Sequence, residues 1–96
     1  MNLMRNRGEY RTVYDIIYEV LSYAQQHKMT KTDIYYAGRL SFYQFNKIYP
    51  LLMQTELIAF NDKAASHLIT EKGKQYMVYY EEIKTLTKGL ITKNKK

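Results

Sequence analysis

Two histidines, nine carboxylates, fifteen lysines and arginines, and eleven tyrosines are the side chains in this 96-residue chain that could do chemistry. Their spacing decides which chemistry. His27 and His67 lie far apart in sequence and have no partner at metal-ligand spacing, so no metal site is expected. His27 falls at the end of the first helical stretch, where a cation is favoured. His67 falls on a strand, where it reads as an exposed side chain or a phosphate donor. Glu81 and Glu82 are adjacent on a helix and point in different directions, which argues against shared acid–base work. Cysteine is absent, which removes thiolate nucleophiles, disulfide scaffolds and zinc–thiolate sites. The glycines at 8, 38, 73 and 89 form neither a phosphate-binding loop nor a dinucleotide fingerprint. The chain is expected not to be an enzyme and to need no cofactor.

What remains is charge. The net charge is +6 and the isoelectric point is near 9.5, a balance that suits a polyanionic partner. Met1 to Arg11 carries Arg5, Arg7 and Arg11 without an apolar run, which predicts a basic N-terminal arm rather than a signal peptide. No stretch is apolar for long enough to span a membrane, and a cytoplasmic location is the default expectation. Eleven tyrosines without a tryptophan are assigned mainly to core and interface packing, with base stacking as the second use of such rings.

These side chains need a scaffold, and 96 residues suffice for one domain. Val13, Ile16, Ile17, Val20, Leu21 and Ala24 fall at helical spacing, predicting a helix from about Thr12 to His27 with one buried stripe and with Tyr14, Tyr18 and Glu19 off it. Thr12 and Asp15 have capping-box spacing. Thr30 and Asp33 repeat the signal for a short helix over Lys31 to Ala37, burying Ile34 and at least one of Tyr35 and Tyr36. Gly38 is placed to end it in a left-handed conformation. Ser41 and Gln44 form a third box, opening a helix that runs to about Thr55. Its expected inner face is Phe42, Phe45, Ile48 or Tyr49, Leu52 and Met53, with a bend between Asn46 and Pro50. Leu57 to Phe60 and Ser66 to Thr70 read as strands of a hairpin around the turn Asn61–Lys63. Thr70 caps a last helix. There Tyr76, Tyr79, Ile83, Leu86 and Leu90 step by threes and fours, as a and d positions do, while Met77 and Tyr80 form a second strip facing the domain.

The order helix, short helix, turn, helix, hairpin, helix is that of an α+β, mainly helical, winged helix-turn-helix. Thr30-Lys31-Thr32-Asp33-Ile34-Tyr35-Tyr36 followed by Leu40-Ser41-Phe42 resembles the signature of small archaeal winged-helix DNA-binding regulators. The likeness continues through Leu52-Met53 and Leu57-Ile58 to Ile69-Thr70-Glu71-Lys72-Gly73-Lys74-Gln75-Tyr76 at the start of the final helix. Within that group it is most similar to the archaeal ten-kilodalton chromatin proteins, a resemblance that implies dimerisation through a C-terminal antiparallel coiled coil. Three positions depart from the pattern. Asp33 stands where a basic residue is usual, Pro50 replaces a helical surface residue, and Glu56 replaces the glycine that commonly ends the third helix.

The expected organisation is a basic arm over 1–11, the winged domain over 12–70, a dimerisation helix over 71–91 and a basic tail over 92–96. The expected partner is double-stranded DNA, in a regulatory or chromosome-architecture role associated with the nucleoid, with neither a membrane nor a small-molecule ligand involved. Tyr43, Gln44, Asn46 and Lys47 form the outward face of the third helix. Glutamine and asparagine suit adenine, and lysine suits guanine or phosphate. Ser41 and the helix start suit a phosphate oxygen. Lys31, Arg39, Lys63 at the wing tip and His67 complete the proposed DNA face. Tyr76, Tyr79, Ile83, Leu86 and Leu90 form the homodimer seam. The alternative is a winged helix that binds an acidic protein, the reading that Asp33 favours.

Overall fold

The computed structural model describes residues 11–95, with side chains described through residue 88. Arg5 and Arg7 of the expected arm, the side chain of Leu90 in the expected seam, and Lys96 lie outside the described residues. Four helices and one hairpin follow in the order α1 (Val13–Ala24), α2 (Lys31–Ala37), α3 (Phe42–Gln54), β1 (Ile58–Asn61), β2 (Ser66–Ile69) and α4 (Glu71–Lys95).

Each of the first three helices begins with a complete capping box. Thr12, Thr30 and Ser41 accept from the backbone N–H of Asp15, Asp33 and Gln44, and the latter side chains reach back to the cap N–H. Two of the orphan donors at each helix start are thus satisfied locally, so the starts are fixed by residues three apart. Asp33, which departs from the family pattern, is folded into this role, with its carboxylate 3.0 Å from the Thr30 N–H.

Ile16, Ile17, Val20, Leu21 and Ala24 of α1 form one wall of the core. Met29, Ile34, Leu40, Ile48, Leu52, Leu57, Ile58 and Met77 complete it. Val13, expected on the buried stripe, is half exposed at the first helical position, in an open groove that it shares with Leu51, Lys72 and Tyr76. Phe42 was expected on the inner face of α3 but is exposed there. It occupies the first helical position, next to the Ser41 cap. Pro50 lies within α3 and does not end it. Its missing N–H leaves the Asn46 carbonyl without a helical partner, and both residues are exposed to water.

The hairpin is antiparallel, with Ile58 opposite Ile69 and Phe60 opposite His67. On its other edge β2 pairs with Met29, whose backbone exchanges two hydrogen bonds with His67 at 2.7 and 3.2 Å. The loop after α1 thereby acts as a third short strand.

Backbone strain falls at Arg39, Glu56 and Ala65, with φ of 50°, 61° and 53°. Glu56 therefore adopts the left-handed conformation that the family's glycine would adopt freely. Gly38 has φ of −88°, so the left-handed turn comes one residue later than expected. Its small size serves packing instead, since a Cβ there would lie 3.0 Å from Val20 and Leu40. Gly73 is constrained more severely. A Cβ would lie 2.3 Å from the Leu57 carbonyl oxygen, so only glycine lets α4 pass this close to the start of β1. Thr70 closes the same joint, accepting from the Gly73 N–H at 2.9 Å while its hydroxyl lies 2.6 Å from the Glu56 carbonyl.

The opening turns of α4 are part of the winged domain rather than a separate segment, because Met77 is buried and Tyr76 and Tyr80 pack against α1. The helix also continues to Lys95, through residues expected to form a tail.

Candidate nucleic-acid interface

The third helix presents Tyr43, Asn46 and Lys47 to solvent, in agreement with the spacing of the sequence. Lys47 Nζ lies 5.0 Å from the centre of the Tyr43 ring, a cation–π arrangement that leaves the ammonium hydrated. Lys31, at the start of α2, lies over the Tyr49 ring at 4.9 Å. Neither lysine meets a carboxylate among the described residues. Lys63 is exposed at the hairpin turn, which is closed by the Ala64 N–H donating to the Asn61 side chain at 2.9 Å. α3 itself contains no Asp or Glu.

Ser41 sits at the cap with its hydroxyl oxygen 3.1 Å from the Gln44 N–H. Gln44 was assigned both to this box and to adenine recognition, and its geometry separates the two roles. The side-chain carbonyl accepts from the Ser41 N–H at 2.9 Å. Bidentate recognition of adenine needs that oxygen free, so in this rotamer Gln44 is a capping residue.

His67 corrects the sequence reading. It is 2% exposed, with Nδ1 2.8 Å from the Met29 carbonyl and Nε2 2.8 Å from the Tyr49 hydroxyl. A carbonyl can only accept, so Nδ1 carries the proton, and in the neutral ring Nε2 accepts from Tyr49. Both nitrogens are used inside the protein, and the ring cannot reach a phosphate. It is a structural link between the loop after α1, the middle of α3 and the wing.

That link belongs to a row of aromatic rings. Tyr36, Tyr35, Phe45, Tyr49, His67 and Phe60 follow one another with centroids 5.1 to 5.9 Å apart. The row runs from the end of α2, beneath α3, to the wing, and fixes the tilt of α3 relative to the hairpin. Sequence periodicity placed Phe45 inward and left Ile48 and Tyr49 as alternatives, and it could not show that Tyr49 meets His67.

The arginines are also redistributed. Arg11, expected in a free arm, donates to Glu19 at 2.8 Å and to the carbonyls of Gly38 and Arg39 at 2.7 and 3.0 Å. It pins α1 to the turn between α2 and α3. Arg39 is exposed but reaches the same Glu19 at 3.1 Å, so one carboxylate offsets part of the charge next to the α3 start. The pairing of Glu19, Arg11 and Arg39 has no signature in local sequence.

On α4, Tyr79, Ile83 and Leu86 are exposed, with Leu86 at 81%. Tyr76 behaves differently from these. It is half-buried, donates to the Tyr14 carbonyl at 2.8 Å and stacks on Tyr80. Burial, with Asp15 nearby, pushes its pKa up to about 12. Tyr80 in turn stacks on Tyr18 and donates to Asp15, and burial together with that bond raises its pKa still further. Burial opposes the charge on Asp15, but bonds from Tyr80 and from the Thr12 N–H and hydroxyl outweigh it and hold the carboxyl below its ordinary value.

No cluster of His, Asp and Glu among the described residues could hold a metal ion, and no described helix is long and apolar enough to cross a membrane. The sequence matches the winged helix-turn-helix family over residues 10–95. It is also 32% identical over 81 residues to an uncharacterized protein of Methanocaldococcus jannaschii, an alignment spanning 83% of this chain and 81% of that one. With three capped helices, a hairpin wing packed on the third and α4 closing the core, the chain belongs to the winged helix-turn-helix family.

Proposed function

We propose that this protein is a homodimeric double-stranded DNA-binding protein, a transcriptional regulator or chromosome-architecture protein of the kind typified by the archaeal ten-kilodalton chromatin proteins. The observation that carries this reading is the exposed face of α3, where Asn46, Lys47 and Tyr43 stand on a helix without carboxylates, braced against the wing. Lys47, Lys31 and Lys63 neutralise phosphates, the start of α3 at Ser41 takes a phosphate oxygen, and Asn46 faces base edges in the major groove. Arg39 joins them when a phosphate competes with Glu19. The process is binding, without a reaction.

Dimerisation places two such faces on one duplex. Its support is the exposed strip Tyr79, Ile83 and Leu86, which the spacing extends to Leu90, beside an apolar groove of about 390 Å³ lined by Tyr14, Tyr76, Tyr79 and Ile83. Ile83→Asp puts a charge in the middle of the strip and is expected to give a folded monomer by sedimentation equilibrium. A wild-type monomer at tens of micromolar would remove the dimer from the proposal.

Titration of duplex DNA at several salt concentrations tests the DNA face. Lys47→Ala is expected to weaken binding to all sequences and to lower the salt slope by about 0.9 per lost phosphate contact, hence roughly 1.8 for a dimer. Asn46→Ala is expected to leave the slope unchanged and to cost about 1–3 kcal/mol only at a preferred site. If neither substitution changes affinity or slope, α3 is not the DNA-facing element.

A further inference from the structure

Phe42 and Tyr43 are the first two residues of α3 after its Ser41 cap, and they leave 72% and 69% of their surfaces in solvent. Neither belongs to the core or packs against it. Aromatic residues are also mediocre helix formers, so neither propensity nor burial accounts for two large rings at this solvated helix end. The contrast with Phe45 and Tyr49 one and two turns on is direct, since those rings are partly buried and pack against the core.

The surroundings of the two rings narrow the partner. Lys47 lies over Tyr43, Arg39 precedes the helix, and α3 carries no acid. An apolar protein surface gains nothing from that charge. A polyanion that carries flat apolar faces of its own is complementary to both features, and nucleic-acid bases are such faces. In an intact duplex the base faces are stacked inside and only the edges are open in the grooves. Phe42 has no donor or acceptor with which to read an edge.

We infer that Phe42 and Tyr43 form a stacking platform for unpaired bases, so that the preferred partner of this face is DNA whose duplex is locally opened. This rests on the DNA-binding reading above and sharpens it. Successive helix residues project about 100° apart, so the rings splay to either side of the helix tip and take two separate bases. Lys47 supplies charge for the backbone of the opened strand.

The experiment compares three probes of one sequence by fluorescence anisotropy: fully paired, interrupted by a central run of mismatches, and single-stranded. Wild-type protein is expected to bind the interrupted duplex about tenfold more tightly than the paired one, in line with the strength of base–aromatic stacking. Phe42→Ala should abolish that preference while leaving affinity for paired DNA unchanged, and Phe42→Trp should retain it. Both positions are exposed, so circular dichroism should be unaltered. Equal wild-type affinity for paired and interrupted DNA overturns the inference and leaves the duplex-binding reading standing. Binding to none of the probes removes both. Retention of the preference by Phe42→Leu overturns the stacking role. So does a change in the sedimentation of free Phe42→Ala with the preference intact, which would assign the patch to a second copy of the chain.

Discussion

Tyrosines are concentrated in two regions of this molecule, the contact between α1 and α4 and the face built from α3 and the wing, and they are used differently in each. Between α1 and α4 three hydroxyls end on acceptors of the same chain: Tyr76 on the Tyr14 carbonyl, Tyr80 on Asp15, and Tyr18 on Glu81. On the α3 side only the inner ring is tied, Tyr49 to His67, while the Tyr43 hydroxyl has no partner among the described residues. A tyrosine whose ring is packed and whose hydroxyl is satisfied is accounted for by folding. One with neither is available to a partner. Residue type alone does not separate the two uses.

The acceptors differ too. Two of the three acceptors in the α1–α4 contact are carboxylates, whereas the link from α3 to the wing runs through an imidazole. The two regions should therefore fail in different ways, and substitutions can expose this.

The largest effect is expected at His67. His67→Ala leaves a cavity and strands the Tyr49 hydroxyl, while the Met29 carbonyl keeps only the backbone N–H of residue 67, for about 3 kcal/mol lost in urea unfolding. Tyr49→Phe should cost less, because it removes one bond and no volume. If His67→Ala is neutral, the wing is not braced through this ring.

Gly73→Ala tests the joint between the regions. The new methyl group would overlap the Leu57 carbonyl, and overpacking of this kind costs about 2 kcal/mol. Thermal unfolding measures it, and a fully helical but destabilised protein is the expected result.

Tyr80→Phe probes the carboxylate-based contact and should cost about 1 kcal/mol at neutral pH. Its effect should also depend on pH. The folded Asp15 carboxyl titrates below its ordinary value of 3.8, so its contribution is present above that pH and is lost as pH falls through the lowered value. The gap between wild type and Tyr80→Phe should therefore narrow on acidification below about pH 4. On the alkaline side the sign reverses. The raised Tyr76 value of about 12 means that its contribution is complete below the ordinary value of 10 and is lost as pH rises from there towards 12. Urea unfolding across both ranges follows each loss.

The smallest effect is a gain. Glu56→Gly relieves a left-handed glutamate at the end of α3, and the strain of about 1–2 kcal/mol exceeds the added unfolded-state entropy of about 0.5–1 kcal/mol. A net stabilisation of about 0.5 kcal/mol is expected from the same two principles. A loss in thermal unfolding would mean that the Glu56 side chain contributes something beyond its backbone.

Much of this architecture was legible in the sequence, because it is set by residues close together in the chain. The three capping boxes depend on pairs three residues apart, and α2 begins and ends where they and Gly38 indicate. The stripe from Ile16 to Ala24 and the hairpin around Asn61–Lys63 follow from periodicity and turn composition in the same way. The outward positions of Tyr43, Asn46 and Lys47 follow from helical spacing once α3 is placed, and the basic character of that face from its lack of acids.

Tertiary structure decided what depends on distant segments meeting. His67 is buried because Met29 pairs with the free edge of β2 and Tyr49 reaches across from α3, so strand alternation alone misplaced it. Arg11 became a clamp and Arg39 a partly offset charge because one carboxylate, Glu19, lies between them. Tyr76 fell on the packed side of α4 because α1 crosses there, a distinction that a three-four repeat cannot contain. Gly73 is required by a backbone that arrives from β1. In each case the local pattern supplied a residue with more than one physically acceptable role, and the burial and hydrogen-bond partners brought by the fold selected between them.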